Sequence, residues 1–327
     1  VSLEDHAMLE DPTKRLMNLN TLDSSLYLGQ IYRPQYYSTT QGSNASNVLD
    51  GESHANAIYG NGGNDTLNGL GGNDLLDGGT GNDTLDGGEN NDKLFGGDGD
   101  DTMFGGNGDD YLVGGEGYDK MFGGYGHDTV DYSTSTHGVY IQMNGSTFGG
   151  NDQVSGIEDL IGSNFDDNID GNDDANLIKG GAGNDNIWGG AGNDTILGGE
   201  GDDILFGGLG ANIIDGGNGN DHIHAGAGNY NDVVTGGAGA DTFHWQVDAV
   251  NGHDIITDYD PLQDALELLD PYGNGSPNVF VNTSADGDVV IAFGNSTVEL
   301  DGVQNQGWSS IQDLQNAGWN IEYTVVN

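Results

Sequence analysis

The sequence predicts an all-β repeat protein: a β-solenoid in two blocks, closed by a β-rich C-terminal cap that carries a short helix. Three observations carry that reading. Aspartate recurs every nine residues in a glycine-rich setting over long stretches of the chain. An aliphatic residue stands two positions after each of the eight aspartates of the first block. Beyond residue 245 the period ends, and short strand-like runs separated by turn residues replace it. A fixed short period marks units that cannot bury an apolar face alone and must stack.

Residues 1–41 precede the repeat and read as a linker or N-terminal cap. They hold Lys14, Arg15 and Arg33, half of the basic residues, and a Tyr36-Tyr37 pair. Residues 42–131 form the first block. Asp65, Asp74, Asp83, Asp92, Asp101, Asp110, Asp119 and Asp128 keep the period without slippage. The aliphatics that follow are Leu67, Leu76, Leu85, Leu94, Met103, Leu112, Met121 and Val130. Two weaker units come first, with Asn47 and Asn56 at the aspartate position, as expected of terminal units in a stack.

Residues 132–161 carry no nonapeptide and read as a non-repeat β linker, with strand-like runs at 139–143 and 157–161. The period resumes in the second block, 162–244, at Asp167, Asn176, Asp185, Asp194, Asp203, Asn212, Asp221, Asp232 and Asp241. The step from Asp221 to Asp232 is two residues too long, so an insertion falls around Asn229-Tyr230.

Residues 245–327 form the cap. Strands are expected at 252–260 and 264–268 around an acidic turn. An antiparallel meander follows at 278–283, 288–293 and 297–300, turning at Asp286-Gly287 and Gly294-Asn295. Ser309-Ser-Ile-Gln312 fits a capping box that opens a helix to about Ala317. Trp308, Ile311, Leu314 and Trp319 would pack that helix on the sheet.

Composition limits the chemistry. Six basic residues against 53 acidic ones give a formal charge of −47. That excludes nucleic acid, which needs a basic surface, and disfavours anionic membranes. No apolar run is long enough to span a bilayer, so no membrane insertion is expected. Val1-Ser-Leu-Glu-Asp-His shows neither a basic nor an apolar leader region. Cysteine is absent, which rules out disulfides and thiolate chemistry. Glycine, at 61 residues, far exceeds common usage, yet its periodicity argues against disorder.

The repeated unit GGxGxDxUx, with U aliphatic and GGAGNDNIW (180–188) as one copy, resembles the calcium-binding nonapeptide of RTX (repeats-in-toxin) proteins. The glycines permit left-handed backbone and close approach, so a turn can aim carbonyl oxygens inward. The aspartate adds a carboxylate, completing the oxygen set a hard cation prefers. The resemblance implies a calcium-bound parallel β-roll with two nonapeptides per 18-residue coil. Each unit would divide into a six-residue turn and a three-residue strand. Turns 18 residues apart would stack on one edge and share each ion, with about a dozen Ca²⁺ in all. The implied metal ligands are Asp65, Asp74, Asp83, Asp92, Asp101, Asp110, Asp119, Asp128, Asp167, Asp185, Asp194, Asp203, Asp221, Asp232 and Asp241. Asn176 and Asn212 offer neutral oxygens, so weaker calcium is expected beside them. Asn90 stands where glycine belongs and should strain one site.

No HExxH or GxSxG motif is present, and with so many acidic residues adjacent pairs such as Asp109-Asp110 and Asp202-Asp203 are unavoidable. The chain is therefore not expected to be an enzyme. His222 and His224 flank the inward Ile223 and should face outward, with His244 one coil on. Exposed strand histidines are the ordinary reading there, and a soft-metal site the sharper one. Phe104 and Phe122, like Trp188 and Phe206, are 18 apart and form outward columns, either covered by neighbours or a binding strip.

The C-terminal part resembles the target region of type I-secreted RTX proteins, which caps the roll and carries an uncleaved export signal. The expected function is a calcium-dependent folding and secretion module of a large extracellular RTX adhesin. It would be a monomer handled by type I secretion machinery and placed outside, or on the surface of, a Gram-negative cell. The alternative is the C-terminal RTX region of a secreted lipase, protease or epimerase whose catalytic domain lies upstream. The sequence before Val1 separates the two.

Overall fold

The computed structural model describes residues 38–145, 152–226, 228, 230–246, 252–270, 279–293 and 296–325. The expectations for residues 1–37, for Asn229 and for the Gly294-Asn295 turn lie outside the described residues.

Each nonapeptide supplies one strand, and strands 18 residues apart pair in parallel. Thr66–Asn68 pairs with Thr84–Glu89, placing Leu67 opposite Leu85. Leu75–Thr80 pairs with Lys93–Asp98, placing Leu76 opposite Leu94. Successive nonapeptides therefore alternate between two opposed faces, which makes the predicted parallel β-roll. In each strand the aliphatic points inward and its two neighbours outward, because side chains alternate along a strand. Leu67, Leu85, Met103 and Met121 form one fully buried column, and Leu76, Leu94, Leu112 and Val130 face it. In the second block Ile169, Ile187, Leu205, Ile223 and Phe243 face Ile178, Ile196, Ile214 and Val234.

One face is a 15-stranded sheet that runs without a break from Ser38–Gln41 to the C-terminal meander. The opposite face is divided into a 6-stranded and an 8-stranded sheet. The segment read as a linker is what divides it. Gln153–Ser155 ends the first short sheet against Lys120–Tyr125. Tyr140–Gln142 opens the second against Asn168–Asp170. Asp159–Ile161 lies in the long sheet between Thr129–Asp131 and Leu177–Ala182. The two blocks are thus one stack along one face and two along the other.

Thr66–Asn68, Asn168–Asp170, Asn186–Trp188, Ile204–Phe206 and His222–His224 have the three residues expected, while other repeat strands run to six. Lys93–Asp98 and Tyr111–Glu116 stay in register through their glycine pairs, with Gly97 opposite Gly115 and Asp98 opposite Glu116. Gly97, at φ +113°, bends the chain while its peptide groups remain in the ladder. The true corner is short and tight. A Cβ on Gly99, at φ +130°, would lie 2.2 Å from the carbonyl oxygen of Gly81 one coil back.

The cap continues both faces. His253–Ile256 and Ser296–Gln304 extend the long sheet, and Val279–Thr283 and Asp288–Phe293 complete an antiparallel meander on it. Ala265–Asp270 extends the second short sheet, followed by Asn320–Val325, a closing strand that the sequence reading left unassigned. The helix spans Ile311–Asn316. Its N-cap is Ser310 rather than Ser309, accepting from the Asp313 N–H, while the Asp313 carboxylate accepts from the Ser309 N–H. This resembles a capping box one residue later than expected, with aspartate in the place given to Gln312, except that the carboxylate accepts from the residue before the N-cap. Leu314 and Trp319 are buried, and Trp308 meets Trp319 edge-on at 5.0 Å between ring centroids.

Candidate metal centres

The repeat aspartates form ladders along the edges of the roll. Each aspartate N–H donates to the Oδ1 of the aspartate one coil further on. Asp65 donates to Asp83, Asp83 to Asp101 and Asp101 to Asp119, at 2.7 to 2.8 Å. On the other edge Asp74 donates to Asp92, Asp92 to Asp110 and Asp110 to Asp128, at 2.7 to 2.8 Å. In the second block Asp167, Asp185, Asp203, Asp221 and Asp241 are joined in the same way, at 2.8 to 3.0 Å. Asn176, Asp194, Asn212 and Asp232 make the other edge, at 2.8 to 3.0 Å. All of these residues are buried.

The ladder uses one carboxylate oxygen and leaves the second. Oδ2 of Asp65, Asp74, Asp83, Asp92, Asp101, Asp110, Asp119, Asp128, Asp185, Asp194, Asp203 and Asp221 is buried with no hydrogen-bond donor. Each faces more acceptors. A Cβ on Gly96 would lie 2.4 Å from Asp101 Oδ2 and 2.5 Å from the Gly114 carbonyl oxygen. The first glycine of the repeat is therefore obligatory, because an oxygen from its own turn and one from the next coil converge there. Burial pushes the Asp92 carboxyl up to about 8 and that of Asp101 to about 7, with the ladder N–H of the previous coil only partly offsetting it. Asp119 is pushed to about 8 and Asp203 to about 7 for the same reason. Buried carboxylate oxygens that converge without a donor stay ionised only with a cation beside them, and otherwise take up protons. Carboxylate plus carbonyl oxygen, with no nitrogen or sulfur, is the donor set of Ca²⁺.

Asp232 and Asp241 stand in the ladder but are not among the aspartates with a fully buried, donor-free Oδ2, and three further positions depart through their hydrogen bonds. Asp167 has both oxygens engaged: Oδ2 accepts the Ser163 N–H at 2.6 Å, and Oδ1 accepts the Ser163 hydroxyl and the Val139 N–H, each at 2.7 Å. Ser163 stands where the repeat has its second glycine. Asn212 turns its Nδ2 toward the Ala225 carbonyl at 3.4 Å, so a donor sits where other coils place Oδ2. Asn176 is turned the other way: its Nδ2 donates to the Glu158 carbonyl at 3.2 Å, and its Oδ1, facing the turn, accepts the Asn172 N–H at 3.0 Å. Asn90 has φ +74°, the left-handed value that its position imposes, and Leu70 has φ +73° for the same reason.

The ladders also recruit residues that the nonapeptide search missed. Asp119 donates to Asp152, Asp128 to Glu158 and Asp232 to Asp254, at 2.8 to 2.9 Å. Asp241 donates to Asp264 at 3.1 Å. A signal was present. Each of these acids is followed two residues later by a buried aliphatic, Val154, Leu160, Ile256 and Leu266 respectively. The acid-x-aliphatic tail of the repeat persists there without its glycine-rich front.

On the outer faces, Phe104 and Phe122 stack at 5.2 Å, and Trp188 pairs in register with Phe206 and is half exposed. His222 and His224 do face outward, next to His244 on the neighbouring strand.

No curated protein matches the chain. Among solved structures, the extracellular lipase LipA from Serratia marcescens is similar at 22% identity, covering 69% of this chain and 38% of that one, with a TM-score of 0.27. The chain thus spans well under half the length of that lipase. The RTX calcium-binding nonapeptide repeat matches at residues 41–76, 68–103, 77–112, 104–134, 161–196, 197–230 and 227–244. Those matches cover both ladder-bearing blocks and more than half of the residues, and the chain belongs to the RTX calcium-binding nonapeptide repeat family.

Proposed function

We propose that this chain is the calcium-dependent folding and secretion module of an extracellular RTX adhesin, exported as an unfolded monomer by a type I system and itself without catalytic activity. The observation that supports it is the set of buried Oδ2 atoms with no donor, repeated coil after coil along both edges. Bound calcium supplies the positive charge that lets these carboxylates stay ionised while buried. The residues proposed to hold it are the aspartates of that set, with main-chain oxygens of the stacked turns. The chain's own contribution is to stack those turns in register, through the Asp N–H to Oδ1 ladder and the aliphatic columns.

At low cytosolic calcium the carboxylates repel one another and the thin core cannot hold the roll, so the chain stays threadable. Sites of extracellular affinity have Kd of about 10⁻⁴–10⁻³ M, matched to millimolar calcium outside. Folding there prevents backsliding. Among the described residues, no helix is long and apolar enough to cross a membrane.

The test is far-UV circular dichroism in chelator and in millimolar calcium, paired with export assays at varied external calcium. The expected result is a coil-like spectrum that turns β-rich with calcium, and export that slows without it. A β-rich spectrum in excess chelator, or export indifferent to calcium, refutes the mechanism. A catalytic domain directly upstream of Val1 in the full-length protein refutes the adhesin assignment alone.

A further inference from the structure

The second short sheet carries three histidines on its outer face. Strand His222–His224 pairs with Thr242–Gln246 so that His224 lies opposite His244, with His222 diagonal to it. The residues inserted between Asp221 and Asp232 are accommodated between strands, so the outward columns stay in register. His244 Nδ1 lies 3.0 Å from a Glu267 carboxylate oxygen on the next strand. That contact places the proton on Nδ1 and leaves the Nε2 lone pair free. Nε2 in turn lies 3.4 Å from His222 Nδ1. This is long for an N–H···N hydrogen bond. It is close to the separation of about 3.3 Å that two nitrogens adopt when each ligates one tetrahedral ion at about 2.05 Å.

We propose that His222 Nδ1 and His244 Nε2 bind a borderline-soft divalent transition metal ion of the Zn²⁺ class, with Glu267 orienting His244 from behind. The site is chemically distinct from the oxygen-only edges of the roll, since imidazole nitrogen selects such ions over Ca²⁺. Histidine backed by a carboxylate is the usual support of a metal-bound imidazole. The His244 ring is fixed further by stacking on His224, at 4.1 Å between centroids and 6° between planes, and His224 stacks in turn on Phe206 at 4.4 Å. His222 is exposed, which leaves the remaining coordination positions open to water. The ion would tie two successive coils together on the face opposite the long sheet, next to the insertion.

The experiment titrates Zn²⁺ into the full chain held in saturating calcium, followed by calorimetry. Co²⁺ replaces Zn²⁺ to give a visible d–d spectrum. Expected are one zinc equivalent that excess calcium does not displace and a Co²⁺ spectrum with nitrogen ligation. His222→Gln and His244→Gln each abolish both, and Glu267→Gln weakens binding on the order of tenfold. His253→Gln, a histidine on the long sheet, leaves them unchanged. Circular dichroism checks that each variant is folded. Should His244→Gln fail to fold, the exposed His222→Gln carries the test alone. Absence of zinc uptake by the calcium-loaded chain, or uptake unchanged in His222→Gln, overturns the proposal.

Discussion

Replacing Asp101 by asparagine should weaken calcium-dependent stability, and replacing Asp167 by asparagine should not, although both occupy the same position of the repeat. Asp101 is fully buried, with neighbouring coils on both sides at Asp83 and Asp119. Its Oδ1 accepts the Asp83 N–H at 2.7 Å, and its Oδ2 has no donor. Asparagine keeps the first oxygen and turns the second into a donor, as Asn212 already does naturally. Because the residue borders two gaps between turns, two ions are weakened. At calcium ten times Kd each bound ion contributes roughly RT ln 11, about 1.4 kcal/mol, so about 2.8 kcal/mol is at stake. At calcium equal to Kd the same two ions contribute only about 0.8 kcal/mol. Asp167 already spends both oxygens on Ser163 and Val139. Its asparagine variant loses a hydrogen bond worth about 1 kcal/mol, at every calcium concentration.

The assay is urea unfolding of both variants and the wild type at two calcium concentrations, with bound ions counted by native mass spectrometry. For Asp101→Asn the destabilisation should grow by about 2 kcal/mol between the two conditions. For Asp167→Asn it should stay constant, with no ion lost. Equal calcium dependence in the two variants would show that the uncompensated Oδ2 does not define the binding positions.

Asn212→Asp should restore the missing oxygen and raise the calcium count; an unchanged count shows that the turn, not the amide, is limiting. Leu70→Gly relieves a left-handed backbone at φ +73° and should stabilise the calcium-loaded roll by about 1 kcal/mol, read as a rise in urea midpoint. Equal or lower stability would mean the exposed Leu70 side chain compensates its own strain. In chelator, acid should substitute in part for calcium. Burial raises the carboxyls of Asp101 and Asp203 to about 7 and those of Asp92 and Asp119 to about 8, above the unfolded value of about 3.9. The metal-free roll then binds more protons than the unfolded chain between about pH 4 and 8, so its stability falls as pH rises through that window. β-content in chelator should therefore increase from pH 8 toward pH 4, and a flat or opposite trend would remove the carboxyls as the cause.

The period and its aliphatic pointed to stacked units, and the RTX resemblance implied the roll; the structure shows why one repeat suffices, since each coil pairs only with its neighbours. What the sequence concealed depends on context outside the nonapeptide. Asp167 satisfies the motif, yet Ser163 and Val139 consume its oxygens. Asp152, Glu158, Asp254 and Asp264 lack the glycine-rich front, yet the stack brings each to a ladder position. The segment 132–161 looks like an interruption because its strands are separated by irregular lengths. Register with coils already formed, not local period, decides where those strands lie. Asn320–Val325 follows the left-handed Gly318 closely, but its place is fixed by its pairing with Ala265–Asp270.

The ladder also has a direction. Each turn donates its aspartate N–H to a carboxylate nearer the C-terminus, so every coil is capped from its C-terminal side. The series ends in the cap, where the receiving groups are held by other means. Asp254 accepts the Trp245 indole N–H at 2.7 Å, and Asp264 accepts the Asp260 N–H at 2.7 Å. At the opposite end Asn47 and Asn56 turn their oxygens onto local N–H groups of Ser43 and Glu52, at 2.6 Å. A new coil laid on the N-terminal side finds its capping carboxylates and its aliphatic column already in place. One laid from the other side must form before its caps exist. Growth from the C-terminal cap therefore avoids the costly step of nucleating each turn without its partner. With an export signal near the C-terminus, as the RTX resemblance implies, the template would be the first part of the chain to meet external calcium.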